Sequence, residues 1–408
     1  MEDKHLGVYI HIPFCASKCG YCDFYSLAGC DSRMGKYQDA LLRHIQEAAS
    51  TMAPYYIDTV YFGGGTPSYY GARRIADAFN ILKRAGKVLK SAEVTVECNP
   101  DSVRRHELHI LRGEGVNRIS LGMQSASDDL LKIIGRRHNF AQVKKAVQSI
   151  RAEGFDNLSL DLIYGLPGQT KEDWADTLAR AIELGPEHIS CYGLKLEEGT
   201  PMYAAYLNSP VIPSDDEQAD MYLYAVETLA RYDYAQYEVS NFAKRGFASR
   251  HNMKYWDMDD YIGFGPGAHS CIGSTRYSFT RSLEGYIAGV TQDGNLLDEY
   301  ETLDELDRAA EYIMLGMRRG RGISAEEYHR IYKSDFTPLE ELLREYEKDG
   351  WTKRLSDRWC FTPTGFLLSN ILIGSLLEAQ AQHRIRANPW IESAAGQEPQ
   401  ITLPSESF

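Results

Sequence analysis

The stretch Gly7-Val-Tyr9-Ile-His11-Ile-Pro-Phe-Cys15-Ala-Ser-Lys-Cys19-Gly-Tyr21-Cys22 runs from a β-branched segment into three cysteines within eight positions. On a helix, positions 15, 19 and 22 would share one face as a buried stripe, spread over roughly 10 Å at ~1.5 Å per residue. Pro13, Gly20 and the strand-like run before them point instead to a loop curled around something compact. Cys-x-x-Cys pairs also bind zinc, but a closed zinc site needs a fourth ligand, and only Cys30 lies nearby in sequence. The preferred reading is a [4Fe-4S] cluster on Cys15, Cys19 and Cys22. Three thiolates on four irons leave one iron open to a chelating ligand.

Working outward, strand-like runs at Gly7 to Ile12, Asp58 to Phe62, Glu93 to Glu97, Arg118 to Leu121, Leu158 to Ile163 and His188 to Leu194 alternate with helical patterns. The helices are expected at Met34 to Ala53, Arg73 to Ala85, Asn139 to Glu153 and Lys171 to Leu184. This is an α/β pattern, and six βα units make a partial (β/α)6 TIM-like barrel. The cysteines and the runs Gly63-Gly64-Gly65-Thr66-Pro67, Glu97-Cys98-Asn99-Pro100, Gly122-Met123-Gln124-Ser125 and Tyr164-Gly165-Leu166-Pro167-Gly168 each follow a strand. In parallel folds the carboxyl ends of the strands form the active face, so one site built from five strand ends is expected. Singly, any of these loops could be an ordinary Gly/Pro turn.

The expected division is a barrel core over 1–213, a barrel extension over 214–300, a mostly helical or winged accessory domain over 301–378 and a weakly ordered tail over 379–408. Within the extension, a helix over Asp215 to Arg231 and a strand near Gln236 to Ser240 are expected.

The net charge of -13 over 408 residues disfavours a nucleic-acid partner, because phosphate backbones are bound through basic surfaces. No run of eighteen apolar residues suggests a spanning helix, and Met1-Glu2-Asp3-Lys4 does not open like a signal peptide. A cytoplasmic protein is expected. Eight cysteines, three of them crowded together, suit metal ligation better than a disulfide scaffold.

The spacing Cys-x3-Cys-x2-Cys after the first strand resembles the radical S-adenosylmethionine (SAM) superfamily. Phe62-Gly-Gly-Gly-Thr-Pro-Ser68, Arg118-Ile-Ser-Leu-Gly-Met-Gln-Ser125, Asp161-Leu-Ile-Tyr-Gly-Leu-Pro-Gly168 and Tyr261-Ile-Gly-Phe-Gly-Pro-Gly-Ala268 extend the likeness across most of the first 290 residues. Together they resemble the oxygen-independent coproporphyrinogen III dehydrogenase group, and within it the haem-chaperone branch. The resemblance implies that Tyr9 and Tyr21 flank SAM. It also implies that Gly64, Gly65 and Thr66 offer it backbone groups, and that Glu97, Gln124, Arg136 and Asp161 make polar contacts to it. Singly, each polar residue could be a barrel-end salt bridge or cap.

Two features depart from the dehydrogenase pattern. Phe24 stands where that enzyme has a fourth cysteine, and the segment before Cys15 is shorter. His251-Asn252-Met-Lys-Tyr255-Trp256 resembles the haem-binding motif of the chaperone branch, in which an imidazole can ligate iron and aromatics can cover the macrocycle. The alternative is a histidine bonded inside an aromatic core patch. The resemblance implies haem as cargo and an apo-haemoprotein acceptor, with a respiratory acceptor reached by peripheral contact at the inner membrane face as the expectation. His11 and His269 lie beside the motifs without an assigned role.

Overall fold

The computed structural model describes residues 3–292 and 294–387. The first compact unit spans Met1–Gln236, Ser240–Tyr255 and Asp259–Thr302; the second takes Tyr237–Val239, Trp256–Met258 and the chain from Leu303 onward.

In the first unit, β1 (Lys4–Ile12) is followed by a short parallel pair, β2 (Phe14–Cys15) and β3 (Leu27–Ala28). Then come β4 (Tyr55–Gly64), β5 (Lys87–Cys98), β6 (Arg118–Gln124), β7 (Leu158–Tyr164) and β8 (His188–Gly193). Strands β1, β4, β5, β6, β7 and β8 lie side by side in that order, all parallel, as the six βα units require. Beyond β8 come β9 (Ala235–Gln236) and β10 (Asn241–Ala243), both antiparallel additions. On the other side of β1, β11 (Tyr261–Phe264) adds in parallel, followed by antiparallel β12 (His269–Ile272), β13 (Thr275–Phe279) and β14 (Leu297–Thr302). The twelve-stranded sheet does not close on itself, so the barrel is partial.

The strand expected at Gln236 to Ser240 is a correction. It divides into β9 and β10, and Tyr237–Val239 between them belong to the second unit, where Glu238 bridges Arg319. The helix expected from Met34 to Ala53 breaks at Ala48 into Met34–Glu47 and Ala49–Met52. Others begin where their capping residues stand: Asn139 with Gln142, Thr170 with Asp173 and Ser214 with Glu217 form capping boxes that satisfy the first free N–H groups.

Alternation along the strands divides two chemistries. Leu6, Val8, Ile10, Val60, Phe62, Val94, Val96, Ile119, Leu121, Leu160 and Ile189 are buried in one apolar core, each worth roughly 1.5–3 kcal/mol on burial. The intervening residues are polar and meet one another inside the barrel: Tyr9, Tyr61, Glu97, Ser120, Asp161 and Ser190. Several of these, Tyr9, Tyr61, Glu97 and Asp161, keep accessible surface within strands that are otherwise buried nearby. These interruptions mark accessible polar surface on the inward side of the barrel.

The second unit has the winged pattern expected of it. Helices Glu305–Gly316, Ala325–Tyr332 and Thr337–Lys348 pack with a three-stranded sheet of β15 (Ile323–Ser324), β16 (Thr352–Leu355) and β17 (Arg358–Phe361), in the order β15-β17-β16. Trp359, Tyr328, Leu343 and Ile313 are buried there. The weakly ordered tail expected from 379 is corrected over its first residues. The last helix, Ser369–Ala387, continues through them, with Gln380 buried and bonded to the Tyr328 hydroxyl. Alanine and glutamine are good helix formers, so the composition read as tail is also a helical one. The rest of that expectation, 388–408, lies outside the described residues.

Candidate cluster and cofactor site

The cysteine segment is a loop, not a helix, closed at its base by the pairing of β2 with β3 and by Leu27 N–H donating to the Pro13 carbonyl at 2.8 Å. Its middle is pinned at Gly20, whose N–H donates to the Ile134 carbonyl (3.2 Å) and whose carbonyl accepts from Met202 (3.0 Å). Cys15, Cys19 and Cys22 are free and half-buried. Each of Cys15 and Cys22 feels the charge of its neighbouring cysteines, and burial pushes the Cys22 thiol up to about 11. These thiols therefore ionise when a cation compensates them.

The end of β4 lies against this loop. Gly65 N–H donates to the Ile12 carbonyl and Thr66 N–H to the Phe14 carbonyl, both at 2.8 Å, while Gly64 N–H donates to Glu97 Oε2 at 3.1 Å. All three N–H groups are therefore engaged within the protein. A Cβ at Gly65 would stand 2.7 Å from the Ile12 carbonyl oxygen, 2.8 Å from that of Phe14 and 2.9 Å from the Phe14 nitrogen. All three atoms are backbone. Gly65→Ala is accordingly expected to displace β2 and Cys15, at a cost of about 1–3 kcal/mol. Iron content per chain after anaerobic reconstitution should fall well below wild type while far-ultraviolet circular dichroism stays native; full iron loading would refute the cradle.

A chain of side chains joins two cysteines across three strand ends. Thr66 Oγ1 donates to Cys15 Sγ (3.4 Å), Asn99 Nδ2 to Thr66 Oγ1 (3.1 Å), and Arg136 Nη2 to Asn99 Oδ1 (2.7 Å) and the Gly122 carbonyl (2.8 Å). The other nitrogen, Nη1, reaches Cys19 Sγ (3.7 Å) and the Tyr21 hydroxyl (3.5 Å). A Cβ on Gly122 would sit 2.8 Å from Arg136 Nη2 and 2.9 Å from Gln124 Nε2, so glycine makes room for both. Gln124, with φ of 64°, holds a left-handed backbone at a register shift of β6, a strain of about 1–3 kcal/mol of the kind kept at functional sites.

Deeper in the barrel, Glu97 Oε1 accepts from the Tyr61 hydroxyl at 2.8 Å, and burial raises its carboxyl to about 7. Asp161 accepts from Ser120 (2.9 Å), Ser190 (2.9 Å) and Ser159 (3.4 Å), which makes it a node tying β6, β7 and β8 together. Burial raises its pKa, against the serines that stabilise its charge. His11 Nε2 donates to the Tyr25 carbonyl at 2.8 Å, so its Nδ1 is the acceptor for Tyr9 hydroxyl at 3.1 Å. Burial pushes His11 down to about 4, and it stays neutral. His269 lies exposed on β12, apart from this network.

His251 packs beside the amino-terminal halves of β1 and β4, at Gly7 and Thr59. The helix Arg250–Asp257 starts against Glu93, whose carboxylate accepts from the N–H groups of Arg250 and His251, both at 3.1 Å. His251 is 1% exposed; Nδ1 bonds Thr59 Oγ1 and Nε2 bonds the Tyr255 hydroxyl, each at 2.9 Å. Its ring stacks on Tyr61 at 5.2 Å. Both ring nitrogens are therefore engaged within the protein in this conformation. Asn252, Tyr255 and Trp256 are each half-buried.

Residues 9–181 match the radical SAM superfamily and 303–368 the HemN C-terminal domain. The chain is 33% identical to the haem chaperone HemW of Bacillus subtilis over 91% of its own length and 99% of that protein. It is 34% identical to HemW of Lactococcus lactis, over 91% and 97%. The chain belongs to the HemW family of the radical SAM superfamily. Coproporphyrinogen III oxidase (HemN) of Escherichia coli shares its fold, with a TM-score of 0.78 at 23% identity over 92% of this chain and 90% of that one.

A radical SAM member of the HemW family takes a [4Fe-4S] cluster and SAM, and the donor set here fits. Three free cysteines on an anchored loop face two hydrogen-bond donors, Thr66 and Arg136. Among the described residues, no three His, Cys, Asp or Glu side chains converge as a single-ion site. Reading the sequence missed Asn99 and Gly122 as working parts of this HemW-family site. The signal for Asn99 was its place in a strand-end run; its two partners are distant in sequence.

Proposed function

We propose that this chain is a haem chaperone that holds a [4Fe-4S] cluster and SAM, binds haem and passes it to apo-haemoproteins. The observation that carries the reading is the match to HemW chaperones along nearly the whole chain. Phe24 supports it, standing 52% exposed where the dehydrogenase pattern puts a further cysteine.

Cys15, Cys19 and Cys22 hold the cluster. Cluster and SAM together supply one-electron reductive cleavage of SAM. Arg136 is assigned to the SAM carboxylate, Glu97 to its hydroxyl or ammonium groups, Tyr9, Tyr21 and Gln124 to its flanks, and the strand-end run Gly64-Gly65-Thr66 to the contour of its pocket. Asp161 acts behind them by fixing the cavity wall. The acceptor is assigned as a respiratory apo-haemoprotein, met by a cytoplasmic chaperone in peripheral contact with the membrane; among the described residues no helix is long and apolar enough to cross one.

Anaerobic reconstitution with iron and sulfide, then haem titration, transfer to an apo-cytochrome and a coproporphyrinogen III decarboxylation assay on the same sample, tests this. The expected result is stoichiometric haem binding and transfer without decarboxylated product. Absence of haem binding, or turnover of the porphyrinogen, would overturn the reading.

A further inference from the structure

We propose that Thr66, Asn99 and Arg136 form a one-way hydrogen-bond relay that aims donors at the Cys15 and Cys19 sulfurs and raises the reduction potential of the cluster they hold. The proposal rests on the cluster reading and concerns residues that bind no iron.

The direction of the relay follows from donor and acceptor inventories. A guanidinium has no acceptor, so Asn99 must turn Oδ1 toward Arg136 Nη2, at 2.7 Å. That leaves the Asn99 amide nitrogen facing Thr66, where it donates at 3.1 Å. The Thr66 hydroxyl, having accepted there, directs its own hydrogen to Cys15 Sγ at 3.4 Å. Arg136 meanwhile directs its second nitrogen to Cys19 Sγ at 3.7 Å. One arginine thus fixes the polarity of both sulfur contacts.

The relay is also held rigidly. Thr66 is 4% exposed and its N–H donates to the Phe14 carbonyl; Asn99 N–H donates to Ser68 Oγ at 3.1 Å; Arg136 is braced by the Gly122 carbonyl. Hydrogen bonds to cluster sulfurs favour the more negative, reduced state, and such bonds are among the protein's means of setting iron–sulfur potentials. A relay spanning β4, β5 and the turn before Arg137 therefore couples the shape of the strand-end cavity to the redox property of the cluster beside it.

The test is a redox titration of reconstituted protein without SAM, followed by electron paramagnetic resonance, with resonance Raman of the iron–thiolate stretches. Thr66→Val removes one donor and Thr66→Ser restores it; Arg136→Lys keeps the charge but cannot fork between Asn99 and Cys19. Thr66→Val and Arg136→Lys are each expected to lower the reduction equilibrium about tenfold, ~59 mV for one electron, and to shift the thiolate stretches. Thr66→Ser should match wild type. Wild-type potentials and stretches in clusters retained by both variants would overturn the relay, as would loss of the cluster from both. Failure of the wild type itself to assemble a [4Fe-4S] cluster would instead refute the reading beneath it.

Discussion

Replacing His251 by alanine is expected to lower the unfolding free energy by about 3–5 kcal/mol and to leave the absorption spectrum of bound haem unchanged. The ring fills space between Tyr61 and Tyr255, and its loss removes the hydrogen bond to buried Thr59 Oγ1 and the one to the Tyr255 hydroxyl. An unsatisfied buried group such as the Thr59 hydroxyl costs about 1–3 kcal/mol, so the cavity and the lost hydrogen bonds act together. At about 2–4 °C per kcal/mol the melting temperature should drop by roughly 10 °C. A pH series separates this from a general loss. Burial, with Lys254 and Arg118 nearby, pushes His251 down to about 3, whereas the unfolded chain protonates it near the ordinary value of about 6.5. The unfolded state then binds the extra proton, so wild type loses stability as pH falls from there toward 3, and the variant lacks this share. A variant with wild-type melting but an altered haem spectrum would return His251 to the role of iron ligand.

That residue shows where sequence legibility ends. The parallel strand order was readable because each buried strand is a short apolar run followed by a helix pattern, and the cysteine loop because Pro13 and Gly20 interrupt any helix. The motif His-Asn-x-x-Tyr-Trp names residue types without saying which end of the strands they face. Only the register that sets Gly7 beside Thr59, with the His251 ring 3.5 Å from where a Gly7 Cβ would stand, places the histidine against the amino-terminal halves of β1 and β4. Gly65 and Thr66 were legible as a close-approach turn, yet what approaches is the backbone of residues 12 and 14. Asn99 stayed hidden for a related reason. Its importance lies in being pointed both ways between Thr66 and Arg136, 33 and 37 positions away, and no local pattern encodes such a pair.

SAM affinity is expected to fall about tenfold between pH 8 and pH 6, with the inflection near 7, in wild type but not in Glu97→Gln. Glu97 stands at the cavity wall with one oxygen bonded to Tyr61 and the other to Gly64 N–H. Burial raises its carboxyl to about 7; Asp161 adds to the rise, and Tyr61, Gly64 and Arg118 oppose it. If the carboxylate is the form that receives SAM, the dissociation constant scales as one plus the protonated-to-ionised ratio. That factor is about 1.1 at pH 8 and about 11 at pH 6, so affinity weakens as protons are added. The histidines of the barrel interior do not blur the window: burial holds His11 at about 4, His251 at about 3 and His188 well below its ordinary value. The ligand's own amine titrates near this range, and Glu97→Gln carries that contribution alone. The difference between the two profiles, measured by anaerobic calorimetry, therefore belongs to Glu97. Parallel profiles for the two proteins would show that SAM does not use this carboxylate and that Glu97 serves the cavity wall, as Asp161 does.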